Sequence, residues 1–131
     1  MGRLLAIGDI HGCLTALTTL IDFVGLRDDD QLITLGDYVN RGPDSCGVLD
    51  WLLEFHKTGR LVALRGNHEV MMCGARNGKS FLKDFLDVGG KATLRSYSAN
   101  KESLIEIDDV PDRHWNFLDN QLQRYWETGT H

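Results

Sequence analysis

The sequence lacks paired cysteines, an excess of positive charge and any long apolar run. Its three cysteines, Cys13, Cys46 and Cys73, are odd in number and show no CxxC spacing, which indicates reduced thiols. The net charge of −5 argues against a general binder of nucleic acid or anionic membranes, because such binding surfaces are basic. The apolar stretch near the N-terminus is far too short for a signal peptide or a membrane span. Composition therefore predicts a cytoplasmic protein with no nucleic-acid or membrane partner.

The chain also lacks a linker, an internal repeat or a low-complexity segment. With 131 residues it can bury one modest core, so we predict a single domain over residues 1–131. Three short aliphatic runs, at residues 4–7, 32–35 and 61–64, are typical of buried strands. Helical spacing of apolar residues follows each of the first two runs, and Asp44 or Ser45 is a suitable N-cap for the second helix. This alternation predicts a parallel βαβαβ core of the α/β class, followed by mainly helical structure after Met72.

A polar segment follows each predicted strand. The three segments are Gly-Asp-Ile-His-Gly at residues 8–12, Gly-Asp-Tyr-Val-Asn-Arg-Gly-Pro at 36–43 and Arg-Gly-Asn-His-Glu at 65–69. Ligands of open α/β sheets gather at the carboxyl ends of the strands, so these segments should converge. Their carboxylates, imidazoles and amide suit a divalent metal bound by oxygen and nitrogen, and their arginines suit an anion.

The spacing within the segments suggests separate roles. Asp9 and His11 are two residues apart, and in an extended segment both side chains can face one ion. Asp37 occupies the matching position after the second strand, where a carboxylate can give one oxygen to each of two metals. Asn67 offers a neutral carbonyl oxygen, while its neighbour His68 should point to the other side of the loop and remain free to move protons.

The three ordered motifs resemble the GDxHG, GDxVDRG and GNHE signature of the phosphoprotein phosphatase (PPP) family of calcineurin-like metallophosphoesterases. The resemblance implies the N-terminal part of an α/β/β/α sandwich, with a helical insert flanking the catalytic centre. It also implies a two-metal site that activates water for in-line attack on phosphorus. In that site Asp9 and His11 bind the first metal, Asp37 bridges the two, and Asn67 binds the second.

The same resemblance assigns roles to residues outside the metal set. His68 would protonate the leaving alcohol, Arg41 would grip the phosphoryl oxygens, and Arg65 would assist Arg41. Asn40 stands where the family has an Asp that orients the catalytic histidine and stabilises its protonated form. An amide oxygen can still accept the imidazole N–H, but it supplies no negative charge, so catalytic efficiency is in question.

The family's two further metal-ligand histidines and a second phosphate-binding arginine come from a C-terminal half that this sequence does not show. Residues 125–127 resemble the strand that leads to the first of those histidines, and His131 stands too early to match it. We therefore expect a truncated domain, resembling the N-terminal half of a phosphatase, with one metal bound in place of two. Mn is the favoured metal, and Fe, Zn and Co suit the same ligands. One sheet face would be uncovered, which predicts self-association.

These observations predict hydrolysis of phosphomonoesters, with phosphoserine or phosphothreonine proteins as substrates. Two alternatives remain open: a symmetrical diadenosine tetraphosphate hydrolase, which shares the metal loops, and a non-catalytic metal-binding scaffold. The tetraphosphate hydrolases tend to have Asp where Glu69 stands. Elsewhere in the chain, we interpret His56 and His114 as surface or packing residues, and residues 28–30 as a solvated acidic turn.

Overall fold

The computed structural model describes residues 2–124, and its centre is a parallel three-stranded sheet. The strands lie in the order β1 (Leu4–Ile7), β2 (Gln31–Thr34) and β3 (Leu61–Ala63). In the register, Leu5 pairs with Leu32, which in turn pairs with Leu61. The predicted parallel α/β core is confirmed, and the predicted strand limits differ from the observed ones by no more than one residue.

Helices connect the strands and form most of the described chain after β3. They are α1 (Leu14–Val24), α2 (Ser45–His56), α3 (Asn67–Gly74), α4 (Lys79–Phe85), α5 (Lys91–Ser96) and α6 (Asp112–Asn116). Asp44 caps α2, since its Oδ1 accepts a hydrogen bond from the Gly47 N–H at 2.8 Å. Between α4 and α5 the chain kinks at Gly89, where φ is 106°. Among residues 2–124, no helix is long and apolar enough to cross a membrane.

Only one face of the sheet packs into the main core. Leu5, Leu32 and Leu61 lie on that face, together with Leu49 and Leu52 of α2. On the other face Leu4 is 50 % exposed, while Ile33 and Val62 are buried without joining the main core cluster. The self-association expected from such a face stays a prediction.

The edge of the sheet beyond β3 is occupied by backbone from much later in the chain. Leu64 and Gln123 form an isolated parallel bridge, in which the Gln123 N–H donates to Ala63 O at 2.8 Å and the Arg65 N–H donates to Gln123 O at 2.7 Å. This bridge fixes the end of β3 immediately before the third polar segment. The predicted strand at residues 125–127 and His131 lie outside the described residues.

The interpretation of residues 28–30 as a solvated turn is wrong for Asp30. This carboxylate is fully buried and accepts hydrogen bonds from the Arg27 N–H at 2.7 Å and the Arg3 side chain. Hydrogen bonding to Arg3 holds the pKa of Asp30 well below its usual range. The carboxylate thus joins β1 to the turn before β2, a contact between residues 27 positions apart that composition cannot reveal.

Candidate active site

The first two polar segments are held together by their backbones. The His11 N–H donates to Asp37 O at 3.0 Å, and the Gly12 N–H donates to Tyr38 O at 2.7 Å. In return, the Gly42 N–H donates to His11 O at 2.9 Å. These reciprocal bonds place the loop after β1 against the loop after β2, as their position at one end of a parallel sheet predicts.

The backbone of these two loops is strained at the residues predicted to do chemistry. In the described part of the chain, six residues other than glycine have positive φ, and five of them are predicted site residues. These are Asp9 (56°), His11 (39°), Asp37 (60°), Asn40 (77°) and Arg41 (74°). The left-handed region costs a non-glycine residue about 1 kcal/mol or more, and such strain is concentrated at functional sites.

This geometry corrects the expectation of an extended segment at Asp9 and His11. Both residues turn through left-handed conformations, because the loop must reverse after β1 to present its backbone to Asp37 and Tyr38. A second correction concerns Asn67, which was expected in a loop. It is the first residue of α3, so its amide stands at a helix N-terminus. The Asn67 side chain is exposed at that position.

Glu69 joins the third polar segment to the second, a role that the sequence analysis missed. Its side chain is fully buried and accepts backbone hydrogen bonds from Asp37 (2.6 Å), Tyr38 (2.8 Å), Val39 (3.3 Å) and Gly66 (2.9 Å). Burial raises the pKa of Glu69, and these four donors act in the opposite direction. The sequence signal available for this role is a Glu at the third position of the helix that follows β3, where a carboxylate can accept hydrogen bonds from nearby backbone N–H groups.

Asp37 is the point at which the second and third segments meet. The His68 N–H donates to Asp37 Oδ1 at 3.1 Å. A Cβ on Gly66 would collide with the Asp37 backbone nitrogen and carboxylate, so only glycine allows this approach. The half-buried Asp37 therefore lies beside His68, as the motifs predict for a shared site.

The amide of Asn40 contacts His68 through its nitrogen, whereas the sequence predicted a contact through its oxygen. Asn40 Nδ2 lies 2.8 Å from His68 Nδ1, while Asn40 Oδ1 accepts a hydrogen bond from Thr93 Oγ1 at 2.8 Å. The Asn40 N–H donates to the same Thr93 hydroxyl at 2.8 Å. Ser45 Oγ lies 3.0 Å from Thr93 Oγ1 and completes a buried network. The amide is thus held with its donor toward the imidazole.

Burial lowers the pKa of His68. The charge of Asp37 opposes this effect, and the charges of His11 and Arg41 reinforce it. His68 and His11 stack edge to face, with ring centroids 4.9 Å apart. The two imidazoles therefore share one small site with Asp37, and burial there disfavours the charged form of His68.

The predicted metal ligands suit a divalent ion in type, and His11 suits it in orientation. His11 Nδ1 lies 3.1 Å from Val39 O, so Nδ1 carries the proton and Nε2 keeps a free lone pair, as in metal-binding histidines. The side chains of Asp9 and Asn67 have no hydrogen-bond partner among residues 2–124. In that part of the chain, however, no group of three or more His, Cys, Asp and Glu side chains is arranged to hold an ion. The donors fit in kind and are too few to enclose a metal.

The two predicted phosphate-binding arginines lie in different surroundings. Arg41 is exposed, and its N–H donates to Gly89 O at 3.3 Å, which ties the second polar segment to the kink before α5. Arg65 is half-buried, and its backbone joins Gln123 at the sheet edge. Arg41 therefore lies beside the kink at Gly89, whereas Arg65 lies beside Gln123 at the edge of the sheet.

The sequence profile of the calcineurin-like phosphoesterases matches residues 2–127. The chain therefore belongs to this family of hydrolases, which generally use a dinuclear metal site. The family predicted from the three motifs is confirmed, and so is the α/β fold that it implies.

Individual relatives fall into two groups. The chain is 32% identical over 109 residues to the symmetrical bis(5'-nucleosyl)-tetraphosphatase of Pseudomonas syringae pv. syringae (strain B728a), covering 82% of this chain and 31% of the relative. It is 39% identical over 109 residues to that of Pseudomonas fluorescens (strain SBW25), covering 82% and 32%. It is also 46% identical over 65 residues to the Caenorhabditis elegans serine/threonine-protein phosphatase C27B7.6, covering 48% and 14%.

A solved structure shows the same fold. The protein serine/threonine phosphatase from Saccharomyces cerevisiae with similarity to human phosphatase PP5 matches with a TM-score of 0.50 and 20% identity, over 77% of this chain and 33% of that one. The tetraphosphatases match a larger share of the chain than the nematode phosphatase does. The chain spans about a third of the length of those tetraphosphatases.

Proposed function

We propose that this chain contributes to metal-dependent hydrolysis of phosphate esters and anhydrides, with dinucleoside tetraphosphates as the substrate class. The convergence of His11 and Asp37, on loops with strained backbones, with His68 in the first turn of α3 carries the proposal. The choice of substrate rests on the tetraphosphatase relatives, which align with 82% of the chain. The motifs first predicted phosphoproteins as substrates, and the proposed substrate class is the alternative given with that prediction, the diadenosine tetraphosphates.

Asp9, His11, Asp37 and Asn67 are the residues that would hold the metal. Bound divalent ions would supply an activated water and neutralise charge at the phosphorus. Arg41 and Arg65 are proposed to hold the phosphoryl oxygens through bidentate guanidinium contacts. The chain's own ligands are few, so the site needs further donors from outside residues 2–124.

His68 is proposed as the proton donor to the leaving group. Because Asn40 Nδ2 is a donor, His68 Nδ1 accepts and the ring proton stands on Nε2. Neutral His68 can therefore donate a hydrogen bond from Nε2 to the leaving oxygen, whereas full transfer of a proton to that oxygen would require the imidazolium. This arrangement suits a phosphate leaving group, which needs less help from an acid than an alkoxide does.

Phosphoprotein hydrolysis remains a second candidate because of Glu69. The PPP motif has Glu at this position, and the nematode phosphatase is 46% identical over its 65 aligned residues. Asn40 is the observation against it, since a serine alkoxide leaving group depends strongly on a well-supported general acid.

The test is hydrolysis by the purified chain with added Mn²⁺, comparing diadenosine tetraphosphate with a phosphoserine peptide. We expect the dinucleotide to be cleaved symmetrically to two molecules of ADP, and faster than the peptide. Asp37→Asn and His68→Gln should each lower the rate about 10²-fold or more, whereas His56→Gln, outside the site, should not. Faster release of phosphate from the peptide would favour the second candidate. No metal-dependent turnover of either substrate would favour a non-catalytic scaffold.

A further inference from the structure

A basic cavity lies beside Arg41. It has a volume of about 270 Å³ and is lined by Arg41, Gly42, Pro43, Ala92, Arg95 and Lys101. A water molecule takes about 30 Å³ of liquid, so the cavity has room for a group larger than several waters. Three of its six lining residues are cationic in a chain whose net charge is −5.

Two of these cations have no ion-pair partner. Within residues 2–124, the guanidinium groups of Arg41 and Arg95 meet no carboxylate, whereas Arg76 and Arg113 are paired with Asp119 and Asp50. An unpaired arginine on a cavity wall can bind an anion at a low cost in free energy, since no existing ion pair has to be broken. Arginine also matches phosphate oxygens with two parallel N–H donors.

The fold also positions Lys101, the third cationic residue that lines the cavity. Its Nζ donates to Ser96 O at 2.6 Å and lies 3.5 Å from Asp44 Oδ1. Its backbone has a φ of 59°, the one positive value outside the predicted site among described non-glycine residues. Asp44 offsets part of the lysine charge, so the net positive charge of the cavity comes mainly from the two arginines.

The position of the cavity relates it to the catalytic loops. Arg41 belongs both to the cavity wall and to the predicted phosphate grip. Its backbone N–H donates to Gly89 O, two residues before α5, the helix that carries Arg95. Arg41 also follows Asn40, whose amide contacts His68. An anion held between Arg41 and Arg95 would therefore lie next to the phosphoryl group that the metal ligands are proposed to hold.

We propose that Arg41, Arg95 and Lys101 form a second anion subsite, which takes the phosphates of a polyphosphate chain beyond the one that is attacked. The proposal deepens the proposed function and rests on it for the nature of the substrate. The ligand chemistry is a linear phosphoanhydride with at least two linked phosphates. A lone phosphate would fill only one end of the subsite.

The test measures binding to the full chain in EDTA by calorimetry, so that it depends on neither metal nor turnover. The probes are inorganic tripolyphosphate, orthophosphate and diadenosine tetraphosphate. We expect tripolyphosphate to bind at least tenfold more tightly than orthophosphate, and Arg95→Gln to remove about tenfold of that affinity. Lys101→Gln should weaken it less, because Asp44 already offsets that charge. Arg95→Lys should retain part of the affinity.

Arg27→Gln is the matched control, because Arg27 is exposed and lies before β2, at the opposite end of the strands. It should bind tripolyphosphate as the wild-type chain does. The proposal is overturned if tripolyphosphate does not bind, if it binds no better than orthophosphate, or if Arg95→Gln and Arg27→Gln have equal affinity. Equal affinities for tripolyphosphate and diadenosine tetraphosphate would show that the subsite recognises the phosphates alone. A lower affinity for tripolyphosphate would show that a nucleoside of the dinucleotide also contacts the chain.

The outcome is independent of the hydrolysis test. Loss of tripolyphosphate binding in Arg95→Gln, without turnover of any substrate, would uphold the subsite and reject the proposed function. Turnover of the dinucleotide, with tripolyphosphate binding unchanged in Arg95→Gln, would uphold the proposed function and reject the subsite.

Discussion

The side-chain nitrogen of Asn40 lies 2.8 Å from Nδ1 of His68, so the amide donates and the imidazole accepts. Thr93 maintains this orientation, because its hydroxyl donates to the Asn40 oxygen at the other end of the amide. The neutral tautomer of His68 with its proton on Nε2 follows from the arrangement. A carboxylate at position 40 would demand the other tautomer or the imidazolium.

The first prediction tests this relationship through Asn40→Asp. The new carboxylate can accept from Nδ1–H and attract the imidazolium, so we expect the pKa of His68 to rise above its value in the wild-type chain. Titration of the His68 ring by NMR measures the change, and ¹⁵N shifts report the tautomer. Thr93→Val should disturb the tautomer without adding charge. An unchanged His68 titration in Asn40→Asp would show that the two side chains are not coupled.

The second prediction concerns Glu69→Gln. A glutamine cannot accept all four backbone hydrogen bonds, because one end of its side chain is a donor. At least one buried N–H would lose its partner, at about 1–3 kcal/mol each, so we expect a loss of about 2 kcal/mol or more in unfolding free energy. Urea denaturation measures it. Glu54→Gln, on the exposed surface of α2, should cost under about 1 kcal/mol. Equal losses in the two variants would contradict the role given to Glu69.

Most of the backbone architecture could be predicted from sequence because its signals are local. Aliphatic runs bounded by glycine or charge locate the strands, and helical spacing with Asp44 as a cap locates α2. The motifs likewise identify the segments that carry Asp37 and His68. Each of these features depends on residues a few positions apart.

The features that were missed depend on distant contacts. Asp30 is buried because Arg3, directly before β1, pairs with it, and Glu69 is buried because the backbone at residues 37–39 folds over it. The amide of Asn40 points its nitrogen at His68 because Thr93, 53 residues later, takes the oxygen. The spacing of residues along the chain does not reveal such partners, so the orientation of the site groups could be determined only from the structure.

The third prediction concerns acid sensitivity and His114. This histidine is fully buried, with Nδ1 at 2.7 Å from Tyr97 Oη and Nε2 at 2.7 Å from Asp50 Oδ1. Burial lowers the pKa of His114, with the charge of Asp50 opposing the effect. The unfolded chain therefore binds the proton more readily than the folded chain. Stability should be full above the ordinary histidine pKa of about 6.5 and should fall as the pH drops below it.

Urea midpoints at pH 7.5 and pH 5.5 measure this dependence. We expect the wild-type midpoint to be lower at pH 5.5, and the difference to shrink in His114→Gln, which has no imidazole to protonate. His56→Gln is the matched control and should keep the wild-type difference. A His114→Gln chain with an undiminished difference would assign the acid sensitivity to other groups.

The last prediction concerns metal stoichiometry. Asp9, His11, Asp37 and Asn67 offer the right atoms, and His11 is oriented for coordination by its bond to Val39 O. Within residues 2–124 no three His, Cys, Asp or Glu side chains are arranged around one point, so the chain presents an incomplete shell. The family resemblance assigns three of these donors to the first position and only Asp37 and Asn67 to the second, which predicts at most one Mn²⁺ with useful affinity per chain. Asp9→Ala or Asp37→Ala should abolish that binding in a calorimetric titration, while Asp22→Ala, exposed on α1, should not.

Because an ion held by so few protein ligands keeps much of its water, the single site should also release Mn²⁺ readily to EDTA. Two tight, equivalent Mn²⁺ ions per chain would contradict the stoichiometry and would mean that donors outside residues 2–124 complete both positions.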